Sequence, residues 1–499
     1  MTARWILIIT VMMVAILEVL DSTIVNVSLP SIMPALGANQ EQITWILTSY
    51  VVASAIMLPL TGFLAARLGQ KKLLIICVLG FMISSFFCGI TVSLNIMVLF
   101  RLFQGAFGAS LIPLSQAIMR QNYPLNEQGK AMAIWGIGIM AAPALGPVLG
   151  GYITENWSWR WVFYINVPIC IAALAMIWLF IQDTVKSKIK LDQLGLVLMI
   201  IGIGSLQLFL DQGNTKDWFD STFILIIAIT SAIFISLFLI RCLRYEKPII
   251  KLALYRDRNF SICSVLFAIF CGGFFSLLIF EPIILETIFN YPIIIAGETT
   301  ASFGIASALS MIVAAPLLKI VKVKYILIAA LLIAAFGAWE LSTLNLRAAQ
   351  WDFIKANAIL GFGTGLFMVP NTLYSLATLD EKDVTEGAGL FSYFRMLGTS
   401  IGIAVFTTIL TRHTQSTWYY LVSHISSLNP NLHRWLAASH LSLKNPQTAQ
   451  ILGKTLYQHA SMISFTFTAQ TISFLFLLMI PLALFLKNVD IKTDLAGAH

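Results

Sequence analysis

Apolar stretches of about twenty residues recur along the whole of this chain. Twenty residues is the length a helix needs to cross a hydrocarbon core roughly 30 Å thick at about 1.5 Å per residue. The residues AVILMFWYC make up 58% of the sequence and DEKR only 11%, so no water-soluble fold has enough interior to hide the apolar surface. The pattern predicts an all-α integral membrane protein. Apolar runs between polar breaks place helices at 5–28, 42–65, 73–92, 95–119, 131–152, 161–181, 193–210, 222–242, 259–281, 298–318, 325–343, 353–377, 389–411 and 461–486, fourteen in all. The first run is too long for a signal-peptide core and is not followed by a small-residue cleavage site, so it reads as a permanent span. Joins as short as Val92 to Asn95 make consecutive helices antiparallel neighbours.

An even number of spans puts both termini on one side. On alternate faces of this topology, 21 Lys and Arg fall on the face of the termini and 8 on the other, with Arg101 and Arg395 inside spans. The positive-inside rule therefore predicts cytoplasmic termini. The net charge of +8 is thereby accounted for as a topology signal, which removes the argument for a nucleic-acid partner. Six basic residues between Arg241 and Arg258 read first as topogenic charge, with binding to anionic lipid headgroups as the alternative. The opposite face is expected to carry the one long loop, about 412–459, with five of the six histidines. Their spacing matches no metal-ligand pattern, so no metal site is predicted. Five of the six cysteines lie inside apolar runs and read as buried thiols.

Ionisable side chains inside a span are costly and demand a partner. The first helix carries Glu18 and Asp21. Asp21 lies roughly 24 Å from the start of its helix, and Arg101, on an antiparallel helix, reaches a similar depth from the other end. A carboxylate and a guanidinium at one depth in low dielectric form a pair whose stability depends on whether the acid holds a proton, which is the physics of a proton switch; a static ion pair that orders the helices is the competing reading. Glu18, one turn earlier, is a second candidate for the proton or for a cationic ligand. Glu340, Glu281 and Asn26 are the weaker candidates for a polar cavity lining. No cluster of acids or histidines suits a membrane-face enzyme, so an enzyme is not expected.

The run GIGIMAAPALGPVLGG contains Pro143, Gly146, Pro147, Gly150 and Gly151. Prolines remove helical hydrogen bonds and glycines let another helix approach closely, so the segment reads as a hinge or a close-packed seam. Between the second and third helices, Gly62, Arg67, Gly69 and Lys72 sit in a short basic turn that can grip neighbouring helix ends as a gating loop.

At these residues the chain resembles the fourteen-helix drug:proton antiporter branch of the major facilitator superfamily, the EmrB/QacA type. LDSTIVNVSLP (20–30), RLFQGAFGAS (101–110), PALGPVLGG (143–151), WSWRWVFYINVP (157–168) and EGAGLFSYFRMLGTSIG (386–402) are similar to its ordered motifs. The gating loop departs from the wider superfamily pattern at Ala66 and Gln70. The resemblance implies a major facilitator fold of 6+2+6 helices: an N-terminal bundle in 1–183, a linker with two extra helices in 184–257, and a C-terminal bundle in 258–499. It implies alternating access around a mid-membrane cavity, proton coupling through Asp21 and Arg101, and a motif at 146–151 that favours exchange. It further implies proton motive force in place of a cofactor and a bacterial inner membrane. Small lipophilic substrates, a periplasmic membrane-fusion adaptor and an outer-membrane channel are the implied partners, with the 412–459 loop as docking candidate. The expectation is multidrug efflux and so antibiotic resistance; export of an endogenous amphiphile, such as a fatty acid or siderophore-like compound, is the alternative.

Overall fold

The computed structural model describes residues 2–123, 125–184, 192–245, 248–380, 383–425, 429–438 and 445–487. The expected topogenic residues Lys186, Lys188, Lys190, Lys247, Lys382, Lys444 and Lys492, with His440, lie outside the described residues, as do the side chains of Arg4, Lys319, Pro143 and Pro147.

Fourteen long helices run through the described chain. They are α1 (Thr2–Ala35), α2 (Trp45–Leu68), α3 (Gln70–Ile90), α4 (Leu94–Asn122), α5 (Leu125–Asn156), α6 (Trp161–Phe180), α7 (Gln193–Gln212) and α8 (Thr222–Arg244). The second part holds α9 (Arg258–Thr287), α10 (Ile293–Ile320), α11 (Val323–Ser342), α12 (Gln350–Ala377), α13 (Val384–Ser423) and α14 (Gln447–Leu484). Thirteen of these are long and apolar enough to cross a membrane among the described residues, and α5, at 32 residues, matches them in length. No strand occurs among the described residues. In lipid the backbone must satisfy its own hydrogen bonds, and a helix does so within one segment.

Four helices are interrupted along their length: α6 at Ile165 and α14 at Met479, besides α2 and α4. Pro59 sits in a 3₁₀ turn, Leu58–Leu60, inside α2, and α4 breaks at Ala109 and Ser110 after Gly108. The break in α4 restarts a helix at Leu111, so that backbone N–H groups normally spent inside the helix face side chains instead.

Helices α1 to α6 form one packed set, with α1 against α4, α5 and α6, and α3 against α4 and α6. Helices α9 to α14 form another, in which α10 and α11 pack on α12 and α9 packs on α13. The two meet chiefly where α5 lies along α10 and where α13 crosses α2 and α4. Helix α7 packs on α8 and also reaches both sets: Thr48 of α2 donates a very short hydrogen bond to Asp211, and Gln207 donates to Ser400 of α13 at 3.0 Å.

The segment expected as a long loop at 412–459 is mostly helix. Helix α13 runs 40 residues to Ser423, a short helix spans Pro430–Ala438, and the helix leading into α14 begins at Pro446, capped by Asn445. At about 1.5 Å per residue α13 is roughly 60 Å long, about twice the hydrocarbon core. Hydropathy missed it because a helix already nucleated in the membrane propagates through polar residues, which lower hydropathy without breaking the helix.

Candidate functional site

Asp21 and Arg101 meet, and both are fully buried. The Arg101 Nη1 donates to Asp21 Oδ2 at 2.6 Å. Gln104, one turn after Arg101 on α4, donates to Asp21 Oδ1 at 2.9 Å and accepts from Arg101 Nη1 at 2.8 Å. Asn166, at the start of the second segment of α6, donates to the same Oδ1 at 2.7 Å, and both amides also reach Ser85 Oγ on α3. Arg101 completes its coordination with the carbonyl of Ile46 at 3.2 Å and lies 4.3 Å over the Tyr50 ring. The carboxylate thus accepts three hydrogen bonds and its charge is matched, the condition under which an ion pair survives burial. Two glycines bring the helices this close: Gly105 faces the Tyr50 backbone, and a side-chain carbon placed at Gly108 would come within 3.0 Å of the Tyr50 hydroxyl.

The pairing of Asp21 with Arg101 follows the sequence reading; Gln104, Asn166, Ser85 and Tyr50 were not singled out by it. The available signal was polar residues inside otherwise apolar runs, RLFQG and YINVP.

Glu18 occupies a different environment, partly buried on α1. One side of its carboxyl faces the backbone of Ile112, at the restart of α4, and Oε2 has no hydrogen-bond partner. The guanidinium acting on it belongs to Arg395 of α13, in the other helical set. Glu18 and Arg395, on different helical sets, therefore act on each other electrostatically without forming an ion pair.

Three cavity candidates separate. Glu281 is fully buried on α9 and accepts from Asn357 Nδ2 at 2.6 Å. Glu340 lies near the end of α11, partly exposed, and pairs with Lys355 at 3.4 Å. The reason is that α11 ends two residues later, at Ser342, so its carboxylate reaches the partner that the α12 start supplies. Asn26 is exposed on α1 and makes no described hydrogen bond.

The glycine run of α5 is a seam against α1. A side chain at Gly146 would collide with Thr23, at Gly150 with the Ile24 carbonyl at 3.1 Å, and at Gly138 with Met12 at 2.6 Å. Ser28 and Thr154 exchange a 3.0 Å hydrogen bond along the same line. Gly151 does not share it, having open space where a side chain would go, because it lies one residue, and so about 100° of helix rotation, from Gly150.

The basic turn after α2 closes the face at which the chain begins, with a different cast from the one expected. Gly62 abuts the backbone of Glu386, and Gly69 takes a left-handed φ of +88° beside Asp183. Arg67 and Lys72 are exposed and grip nothing among the described residues, since they point outward from the ends of their helices. Gln70, the departure from the superfamily pattern, donates to Thr385 at 2.7 Å. Lys251 bridges Asp383 at 2.8 Å and Glu386 at 3.1 Å, and Arg120 donates to the Leu379 carbonyl at 3.2 Å. Burial works against the Lys251 ammonium, but the Asp383 hydrogen bond and the Glu386 charge outweigh it and hold it above the usual lysine range.

A polytopic helical bundle of two packed sets, with a sealed charge network in one set, opposed charges between the two and a polar closure at one face, has the architecture of a membrane transporter. The chain belongs to the major facilitator superfamily: the family model of that description matches residues 11–403. It is 33% identical over 93% of its length to the Fatty acid resistance protein FarB of Neisseria gonorrhoeae, covering 92% of that protein. It is 34% identical over 83% of its length to the Multidrug export protein EmrB of Escherichia coli K12, covering 82%. Among solved structures, the human organic anion transporter MFSD10 (TETRAN) matches with a TM-score of 0.62 at 14% identity, over 96% of this chain and 99% of that one. The proton:xylose symporter XylE matches with a TM-score of 0.60 at 13% identity, over 95% of both. These two establish likeness of fold alone.

Proposed function

We propose that the protein is a proton-coupled exporter of lipophilic small molecules across a bacterial inner membrane, with both termini in the cytoplasm. Residues 1–183 and 258–499 rock against each other, and 184–257 contributes the inserted pair α7 and α8. The observation that carries this reading is the pair of acids on α1: Asp21 held by Arg101, Gln104 and Asn166, and Glu18 one turn away with a buried, unpartnered oxygen on which Arg395 of the other set acts. Glu18 takes the proton at the cleft, and the Asp21 network senses it through α1. The contacts of Gln70 with Thr385 and of Arg120 with Leu379 are the cytoplasmic gate of the state seen here, with the substrate chamber between the sets and Glu281 and Asn26 as its polar candidates.

The test is substrate efflux from reconstituted vesicles under an imposed pH gradient. Asp21→Asn is expected to abolish gradient-driven efflux while substrate binding persists; efflux at the wild-type rate would refute the coupling.

The 33% identity to a fatty acid resistance protein over almost the whole chain favours a second reading, in which the cargo is an endogenous or host amphiphile instead of foreign drugs. A susceptibility panel in a pump-deficient host, run beside a fatty-acid tolerance assay, separates the two. For passage beyond the inner membrane we propose a periplasmic adaptor and an outer-membrane channel, docking on the helical projection formed by the ends of α13 and α14.

A further inference from the structure

Arg395 is a guanidinium in the middle of a membrane span that no carboxylate neutralises. It lies eleven residues from the start of α13, roughly 16 Å along the helix, and its side chain is only partly buried. Among the described residues that side chain makes no hydrogen bond and no ion pair; it acts electrostatically on the Glu18 carboxyl of α1, in the other helical set. Contrast Arg101, equally deep in the membrane, which is wrapped by Asp21, Gln104, a backbone carbonyl and a tyrosine ring. A cation inside a membrane span left without acceptors costs free energy unless something else supplies them.

We infer that Arg395 is the anion-recognising residue of the translocation chamber and that the ligand it takes is a lipophilic carboxylate. A guanidinium presents a planar fork of N–H donors that fits a carboxylate with two parallel hydrogen bonds, while the surrounding apolar helices accept the tail. Glu18, facing the same space from α1, sets the opposite preference: it repels a carboxylate and attracts an organic cation. The two residues together give the chamber one charged wall of each sign, and so make the balance between acidic and basic substrates depend on two side chains. The inference rests on the exporter reading and names the substrate class within it.

The experiment measures equilibrium binding of a radiolabelled long-chain fatty acid and of tetraphenylphosphonium to the purified full-length protein in phosphatidylcholine nanodiscs, which contain no anionic lipid to compete. Arg395→Gln is expected to lower the anion-to-cation affinity ratio about tenfold, Arg395→Lys to restore part of it, and Glu18→Gln to raise it. An unchanged ratio in Arg395→Gln, or equal weakening of both ligands with no recovery in Arg395→Lys, overturns the assignment. Efflux of the same probes is followed from vesicles of wild-type protein. Should the protein export the cation yet bind no fatty acid, the carboxylate site is refuted and the exporter reading stands; should it move neither, the exporter reading falls and the site with it.

Discussion

Asp21 accepts from three side chains that come from α4 and α6, so its loss and that of Arg101 are not equivalent. Asp21→Asn keeps a side chain of the same shape that can still accept through its oxygen, whereas Arg101→Leu leaves a carboxylate sealed among apolar helices without its cation. Removing one partner of a buried pair costs about 3–5 kcal/mol, so Arg101→Leu is expected to lower thermal stability sharply in detergent, and Asp21→Asn much less. Thermal unfolding of the two variants, followed by intrinsic fluorescence, checks the order; comparable losses would show that the carboxylate charge contributes as much as the guanidinium. The depth match between these residues was legible in the sequence because helical rise is fixed. Gln104, Asn166 and Ser85 escaped that reading because depth says nothing about which way a residue faces, and each joins the network only through the packing of its helix.

At the scale of the element, α5 and α13 illustrate two kinds of information. The Gly and Pro density of α5 announced close approach, and the contacts at Gly138, Gly146 and Gly150 with α1 deliver it. Gly146→Val is expected to force α5 and α1 apart, with the overpacking cost of about 1–3 kcal/mol and loss of transport, while Gly151→Ala, with open space around it, is expected to transport as wild type. Initial efflux rates from vesicles containing equal amounts of folded protein compare the two. Helix α13 carried the opposite lesson. Its outer third is polar, and hydropathy therefore ended it near 411, although nothing between Arg412 and Ser423 is a Gly or Pro that would break a helix. Since the projection made by α13 and α14 reaches beyond the hydrocarbon core, shortening it is expected to leave efflux from vesicles intact and to abolish resistance in whole cells, if it docks an adaptor. Paired vesicle and growth measurements on one truncated variant decide that.

For the whole molecule, the polar contacts on the face of the termini join the two helical sets: Gln70 to Thr385, Arg120 to Leu379, and Gly62 against Glu386. Rocking requires these to part. A cysteine pair at Gln70 and Thr385, whose side chains meet at 2.7 Å, is expected on oxidation to lock the closed face and stop transport, and reduction to restore it; transport that persists after complete cross-linking would mean that the sets do not separate there. Helix α7, bonded to α2 through Asp211 and to α13 through Gln207, spans both sets at a different depth. It ties the two sets together on that side, so α7 is bonded into both and is not only an addition to the edge.

The amino-acid order by itself determined the number of long helices and the shared depth of Asp21 and Arg101. A twenty-residue apolar run has one stable outcome in lipid, and position along a helix converts directly into distance from a membrane face. Rotation about the helix axis and the identity of neighbours belonged to the tertiary structure. Packing alone sent Glu340 to Lys355, left Arg67 and Lys72 in solvent while Lys251 bridged Asp383 and Glu386, and set Arg395 opposite Glu18, because each of those outcomes depends on the positions of helices remote in the chain.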